Sequence, residues 1–471
     1  MSIFKDCDIR GIVPEEFQEE KAYLIGRAFA SLLPIESRIV VGGDVRTHTP
    51  SLREALIRGI MDSGGQVEDI GTVPTPLFYF AIDHLKAQGG LMITASHNPP
   101  QYNGIKIAWE NRPPHPQDLK ILAQKVETKD FRSLPMQTRT MRSLENEYLQ
   151  FLTHLLPLPK KSLQVVVDCG NGSCSSIAPK LLEQLGYQVI PLFCEPDGRF
   201  PNRPPNPSQP ENLQRLSITV QETHSAAGIA FDGDGDRVVF AGNDGKILEG
   251  EYGMIFFIRE HMTRFPKPQK FIYDLKCSSV VAQEIKKAGG IPIPERSGHA
   301  YIKNRLVREE ALMAGELSGH YFFRELKRDD GLYAAGLFLF YLSNMDFPLS
   351  EYLKSFPSFA TTPDIRIPRK GRETLLALLE KMPLGGQVSK EDGLRVTWED
   401  GWALIRPSVT EPMYTLRFEG KTAENLPHLV HRLLHAFPDI EEEVLRKISP
   451  KKEKVLTPYE HSSPPPDLQD K

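Results

Sequence analysis

The sequence predicts a multidomain α/β protein that closes with an α+β domain and a polar tail. Three observations predict it. A strand, turn, helix, glycine, strand pattern recurs three times before residue 300, the pattern changes at about residue 366, and 471 residues are too many for one ordinary hydrophobic core.

The first copy of the repeat is RIVVGGDVR (38–46), followed by a helix with Leu52, Ala55, Leu56, Gly59 and Ile60 on one face and then by GGQVEDIG. The second opens with LQVVVDCGNG (163–172), continues through a helix carrying Ile177, Leu181, Leu182 and Leu185, and ends in GYQVIPL. The third is KFIYDLKCSS (270–279), a helix through Val281 and Ile285, then GGIPIPE. Strands alternating with helices of this length imply mixed, mainly parallel sheets covered on both faces, with functional loops at the carboxyl ends of the strands. Asp44, Asp168 and Asp274 stand at those ends, where each taken singly reads as a cap on the following turn or helix.

From about residue 366 a helix (373–382) precedes LRVTW, a Glu-Asp-Gly turn, WALI, the strand YTLRFEG and a closing helix up to Phe437. Asp400-Gly401 between two apolar runs predicts a hairpin, so this domain is expected to be α+β with an antiparallel sheet. After about Arg446 few apolar residues and several prolines predict a mobile tail. The expected boundaries are 1–150, 151–252, 253–365 and 366–445, with the tail over 446–471.

The composition, 40% hydrophobic and 25% charged, is that of a globular protein, and a net charge of -4 gives no excess of Lys and Arg for binding nucleic acid. The apolar stretch Ala334–Leu342 is too short to span a bilayer, and the N-terminal MSIFKDCDIRG lacks the apolar core of a signal peptide. The expectation is a cytoplasmic protein with no membrane partner. Five cysteines without a CxxC pair (Cys7, Cys169, Cys174, Cys194, Cys277) read as reduced, small buried side chains.

Two segments carry chemistry. In GIAFDGDGDRVVFAG, Asp232, Asp234 and Asp236 alternate with glycines between two short strands, so their oxygens can converge on a hard cation such as Mg²⁺. A calcium-binding EF-hand is excluded, because Arg237 and Asn243 occupy the places of its Gly and Glu and strands replace its helices. A solvated acidic turn is the bland alternative. In GGLMITASHNPPQYNGIKI an apolar strand runs into a stiff polar loop that could present Ser96 and Lys106 together. Alone, Ser96 is no more than a turn hydroxyl, and the GxSxG of esterases is absent. The remaining polar, turn-rich clusters are CDIRG (7–11), ERSGHAYIK (295–303), GELSGH (315–320) and RPSVTEP (406–412). In the last, Arg406, Ser408 and Thr410 alternate and would face one way on an extended loop, as phosphate recognition requires; a surface salt-bridge loop fits that segment equally well.

Taken together and in order, these segments resemble the α-D-phosphohexomutase family, and within it the phosphomannomutase/phosphoglucomutase branch, over nearly the whole chain. TASHNPPQYNGIKI looks like its phosphoserine loop, DGDGDR its metal loop, GELSGH its sugar-specificity loop and RPSVTEP its C-terminal phosphate loop. The resemblance implies four domains around a central cleft, three sharing one α/β/α topology, and exchange of phosphate between the 6- and 1-positions of mannose or glucose through a 1,6-bisphosphate. It implies that Ser96 carries the phosphoryl group and binds Mg²⁺ with Asp232, Asp234 and Asp236. Lys106, Arg10 and His320 would assist phosphoryl or proton transfer. Arg237, Lys276, His299, Glu316, Ser318, Arg406, Ser408 and Thr410 would hold the sugar and its phosphate. Small hexose phosphates are the implied partners, with a hexose 1,6-bisphosphate as activator and a monomer or weak homodimer as the working form. Two positions depart from the pattern: Cys7 stands where tyrosine is common, and Val409 where asparagine or glycine is usual. The alternatives are a phosphoglucosamine mutase, a phosphatase using the same serine, and an inactive phosphosugar-binding protein.

Overall fold

The computed structural model describes residues 3–5, 8–109, 112, 114–369, 374–408 and 413–448. Cys7, Val409, Thr410 and the tail from Ser449 lie outside the described residues. Two compact units divide the chain, one reaching Ser358 and the other beginning at Phe359.

The first unit contains three sheets. The first comprises β1 (Ile9–Ile12), β2 (Arg38–Gly43), β3 (Gln66–Thr72), β4 (Gly89–Ile93), β5 (Tyr102–Trp109) and β6 (Arg139–Met141), in the order β1-β5-β4-β2-β3-β6. The second comprises β7 (Gln164–Asp168), β8 (Gln188–Leu192), β9 (Ala227–Phe231), β10 (Val238–Gly242) and β11 (Ile247–Leu248), in the order β11-β10-β9-β7-β8. The third comprises β12 (Lys270–Asp274), β13 (Ile291–Glu295), β14 (Met313–Gly315), β15 (Tyr321–Phe323) and β16 (Arg328–Asp329), in the order β13-β12-β14-β15-β16. Within them β5-β4-β2-β3, β10-β9-β7-β8 and β15-β14-β12-β13 are one topology repeated, three parallel strands with an antiparallel fourth. The repeat seen in the sequence is therefore a repeat of fold.

The strand-end aspartates are the caps they read as. Each accepts a hydrogen bond from the backbone N–H two residues on: Arg46 to Asp44 (3.0 Å), Gly170 to Asp168 (2.8 Å) and Lys276 to Asp274 (2.9 Å). In the first domain the helices Glu19–Leu32 and Thr49–Met61 approach backbone to backbone, since a Cβ on Gly59 would lie 2.1 Å from the Tyr23 carbonyl oxygen. Gly59 thus serves close packing of the two helices.

The apolar run near residue 340 forms the helix Gly331–Ser343, which is buried on all sides. Its Phe338 stacks on Phe240 at 3.9 Å between ring centroids, and Asp330 caps it through the Tyr333 N–H at 2.9 Å. No helix among the described residues is long and apolar enough to cross a membrane.

In the second unit, β17 (Ala360–Thr361), β18 (Ile365–Pro368), β19 (Gln387–Ser389), β20 (Leu394–Thr397), β21 (Gly401–Pro407) and β22 (Met413–Gly420) form an antiparallel sheet. The Asp400-Gly401 hairpin joins β20 to β21 as expected. Two elements differ from expectation. The helix expected over 373–382 is described only as Leu375–Leu379, capped by Thr374. A further helix, Pro438–Ile448, follows Phe437, so the first residues of the expected tail are helical and Val444 is buried. Proline at its first position excludes continuation of the preceding helix while starting a new one.

Candidate active site

Ser96 stands three residues beyond β4, buried, on a left-handed backbone with φ 50°. Such a conformation disfavours a side chain and persists only where its surroundings impose it. Here the restraint is Arg46, itself fully buried. It donates to the carbonyl oxygens of Ser96 (2.8 Å), Asn98 (2.6 Å), Pro99 (2.6 Å) and Tyr102 (3.0 Å), while its Nε rests on Asp44 at 3.1 Å. Arg10, on β1, adds bonds to Asn98 Oδ1 and to the Ala95 carbonyl oxygen at 3.3 Å. The loop is held from below by two guanidinium groups.

The Ser96 hydroxyl donates to Asp232 Oδ2 at 2.7 Å, and His97 Nδ1 lies 3.2 Å away. Asp232, Asp234 and Asp236 all lie on the turn between β9 and β10, buried, with one oxygen from each inside 4.8 Å of the others. The glycines between them are required by contact. A Cβ on Gly233 would lie 2.5 Å from the Ser96 carbonyl oxygen, and one on Gly235, at φ 78°, would lie 2.2 Å from Cys174 Sγ.

Lys106, on β5, donates to Asp234 Oδ2 at 2.8 Å and also to Asp236 Oδ2. Asp234 Oδ2 further accepts from Thr75 (2.7 Å) and Thr94 (3.1 Å). Burial opposes ionisation of Asp234, but Lys106 overrides it and holds the carboxyl well below the usual range. Burial, with Asp234 and Asp236 alongside, pushes Asp232 up to about 7. Burial works against the Lys106 charge too, yet the two carboxylates hold the ammonium well above the ordinary lysine value.

The described residues fit a hard divalent cation. Asp234 Oδ1 and Asp236 Oδ1 are buried with no hydrogen-bond partner, and an ammonium beside them satisfies only the other oxygens. Orphaned carboxylate oxygens in a dry, glycine-shaped turn are what a cation would satisfy.

The third domain supplies the facing wall. Arg237 Nε donates to His320 Nε2 at 3.0 Å, so the other ring nitrogen carries the proton and donates it to Asp329 Oδ2 at 2.8 Å. His299 Nε2 sits 3.0 Å from the other oxygen of Asp329. Burial opposes the charged form of His320, but Asp236 and Asp329 outweigh it and raise the imidazole above its ordinary value. Glu316 accepts from the Gly298 N–H (2.9 Å) and from the Ser318 hydroxyl (3.0 Å), and His320 and Lys276 overcome burial to keep it ionised. Lys276 Nζ lies 3.9 Å from Asp274 Oδ2.

Ser96, Lys106, Arg10, the three aspartates and Arg237 are thus joined to His320 and His299 by an unbroken set of contacts, and Glu316 with Ser318 borders it. Arg406 belongs to the second unit, where it pairs with Asp392 at 3.0 Å; the Ser408 N–H donates to the Met413 carbonyl oxygen at 2.8 Å. Thr410 lies outside the described residues.

Four residues escaped the sequence reading: Arg46, Thr75, Thr94 and Asp329. Asp329 carried a faint signal as half of the Asp-Asp pair before a helix, of which Asp330 alone is the cap. Lys303, at the end of a motif already singled out, is also unusual. Its buried ammonium has no hydrogen-bond partner, lies 4.1 Å from the Tyr79 ring centroid, and is lowered by burial to about 8.

Comparison with known families and proteins returns one answer. The four domain families described as phosphoglucomutase/phosphomannomutase, alpha/beta/alpha domains I, II and III and C-terminal domain, match residues 1–133, 146–245, 249–359 and 365–436. A phosphomannomutase/phosphoglucomutase of Pseudomonas aeruginosa is 39% identical over 437 residues, covering 91% of this chain and 94% of the relative. A phosphoglucomutase of Neisseria gonorrhoeae is 38% identical over 441 residues, covering 91% and 95%. Among solved structures, a phosphoglucomutase/phosphomannomutase family protein of Burkholderia thailandensis superposes with a TM-score of 0.85 at 33% identity, covering 92% of this chain and 97% of that one.

Proposed function

The chain belongs to the phosphoglucomutase/phosphomannomutase family, and on that premise we propose that Ser96 carries a phosphoryl group between the two ends of a hexose phosphate. The enzyme interconverts hexose 6-phosphate and hexose 1-phosphate, of mannose, glucose or both. The observation that carries the role of Ser96 is its hydroxyl, seated 2.7 Å from Asp232 in a turn whose neighbouring carboxylates keep two buried oxygens unpartnered.

Phosphoryl transfer asks a protein mainly for position and for charge that offsets charge. Position comes from Arg46 and Arg10, which fix the serine loop before substrate arrives. A Mg²⁺ ion held by Asp232, Asp234, Asp236 and Ser96 would supply a Lewis acid that offsets the negative charge of the phosphoryl group. Lys106 stands on the same carboxylates as a second, permanent cation. His320 is suited to take the proton of the attacking sugar hydroxyl once a substrate phosphate draws Arg237 from its Nε2, because Asp329 and Asp236 stabilise the imidazolium that results. Glu316 and Ser318 would grip sugar hydroxyls. A hexose 1,6-bisphosphate would then be both the intermediate, turning over in the site, and the activator that restores a lost phosphoryl group.

Glu316 and Ser318 are expected to engage hydroxyls away from C2, the one centre at which mannose and glucose differ. Neither epimer then leaves a buried group unpaired. Mannose 1-phosphate and glucose 1-phosphate should show kcat/KM values within about tenfold of each other, with glucosamine phosphates poorer. Coupled assays on these sugars, primed with bisphosphate, with and without excess chelator, test the reading. Full turnover in chelator removes the metal assignment, and a strong aminosugar preference replaces the substrate reading with that of a phosphoglucosamine mutase.

A further inference from the structure

Four cysteines are described, all as free thiols, and two of them meet. Cys169 follows β7 and Cys194 follows β8, two adjacent parallel strands in register with Asp168 opposite Leu192. Both strands end in left-handed turns, with φ 52° at Gly170, 60° at Asn171 and 52° at Phe193. The turns deliver the two thiols to one rim of the sheet, where the sulfurs share a hydrogen bond of 3.3 Å. Cys169 is completely buried, whereas Cys194 is partly open to solvent. The expectation that every cysteine is a small buried side chain fails at Cys194.

We propose that Cys169 and Cys194 form a redox-active dithiol that closes to a disulfide on reaction with a hydroperoxide, and that closure slows turnover. The Cys194 thiolate attacks the outer peroxide oxygen: an S–O bond forms, the O–O bond breaks, and the leaving oxygen takes up a proton as water or an alcohol. The Cys169 sulfur then displaces hydroxyl from the sulfenic acid. An S–S bond forms, the S–O bond breaks, and hydroxide leaves with the Cys169 proton as water. Two thiols are oxidised by two electrons and one peroxide is reduced, so no further reactant is needed. Thiol–disulfide exchange with a small dithiol reverses the change.

The division of labour follows from the surroundings. Hydrogen bonding to Cys169 pulls the Cys194 thiol below its ordinary value, while burial pushes Cys169 well above it. The more acidic thiol also belongs to the residue that is partly open to solvent. To bond, the sulfurs must close from 3.3 Å to about 2.0 Å, a shift within the reach of side-chain rotation on neighbouring strands.

The same turn supports the aspartate loop. The Ser173 N–H donates to the Gly233 carbonyl oxygen at 2.9 Å, and a Cβ on Gly172 would lie 2.8 Å from that oxygen. A covalent pull on Cys169 therefore acts four residues from a backbone contact with the loop between Asp232 and Asp234.

The test uses the full chain treated with a small excess of hydrogen peroxide, after which free thiols are alkylated and the protein is digested for mass spectrometry. We expect peptides containing Cys169 and Cys194 joined, two hydrogens lighter than their sum, and a severalfold loss of turnover restored by dithiothreitol. Cys194→Ser should remove the cross-link and keep its activity under the same dose. In Cys169→Ser, Cys194 should stop at a sulfenic acid that a dimedone probe captures. Because Cys169 is buried and its replacement could disturb folding, Cys194→Ser alone suffices to decide. The proposal is overturned if both cysteines remain alkylatable, if Cys194 goes to sulfinic acid without a cross-link, or if the cross-link forms and turnover is unchanged.

Discussion

Asp329 touches two histidines at once, His320 at 2.8 Å and His299 at 3.0 Å, and no other described carboxylate does so. Burial disfavours its charge, but the two rings hold it well below the usual carboxylate range. It is a positioning residue that fixes the tautomer of His320. Asp329→Asn should lower kcat by about a hundredfold with KM little changed, and should displace the pH profile of kcat, which a merely structural role would leave in place. Equal kcat with a weakened KM would contradict this.

Lys303 carries a buried charge with no hydrogen-bond partner, and its pKa falls from 10.5 to about 8. Between those values the unfolded chain binds the proton that the folded chain has lost, so this residue makes stability rise with pH over that window. The contribution is complete above 10.5 and is lost as pH falls through about 8; the span corresponds to about 3 kcal/mol. Lys303→Met should therefore be more stable than the parent near pH 7, with the gap closing by about that amount toward pH 10.5. Parallel denaturation curves across the window would rule it out.

Candidate site residues were legible in the sequence where they lie within one string. Ser96, the three aspartates, Glu316, Ser318 and His320 sit in contiguous motifs whose composition is unusual. Arg46 and Asp329 were not, because their work is done across the fold. Arg46 holds carbonyl groups 50 to 56 residues away, which no local pattern encodes.

At the scale of elements, the three βαβ copies were legible because a buried parallel strand is a run of apolar residues and its covering helix has a regular apolar face. The antiparallel fourth strands β5, β10 and β15 complete the repeat and were harder to see, being flanked by the motif loops. Pro438–Ile448 was missed for a definite reason: PDIEEEVLRKI places only Val444 fully in the core, so its composition resembles the polar tail. The helix is anchored, with Lys447 Nζ donating to the Arg366 carbonyl oxygen at 2.7 Å. A chain ending at Ser449 should keep its melting temperature and activity, whereas one ending at Phe437 deletes Val444, Ile440, Leu445 and Ile448 and exposes the core they cover, a loss of about 3 kcal/mol or more. Thermal unfolding of the two truncations decides, and equal melting temperatures would show that the helix does not support the domain.

For the molecule as a whole, each of the first three domains contributes what the others lack. The first brings Ser96, Lys106 and the arginines that hold the serine loop; the second brings the aspartate turn and Arg237; the third brings His299, Glu316, Ser318, His320 and Asp329. The contacts that join them, Ser96 to Asp232 at 2.7 Å and Arg237 to His320 at 3.0 Å, cross domain boundaries. The repeated α/β topology thus brings three strand-end loops within reach of one another, each carrying a different set of polar side chains. In the proposed reaction the phosphoryl group passes through Ser96. The most direct measurement loads the enzyme with a radiolabelled hexose 1,6-bisphosphate, quenches it, and maps the label, then repeats the experiment with a chase of unlabelled hexose 1-phosphate. A single labelled peptide containing Ser96, a chase at least as fast as kcat, and neither label nor turnover in Ser96→Ala are the expected results. Label on another residue, a chase slower than turnover, or undiminished mutase activity in Ser96→Ala would contradict the proposed reaction.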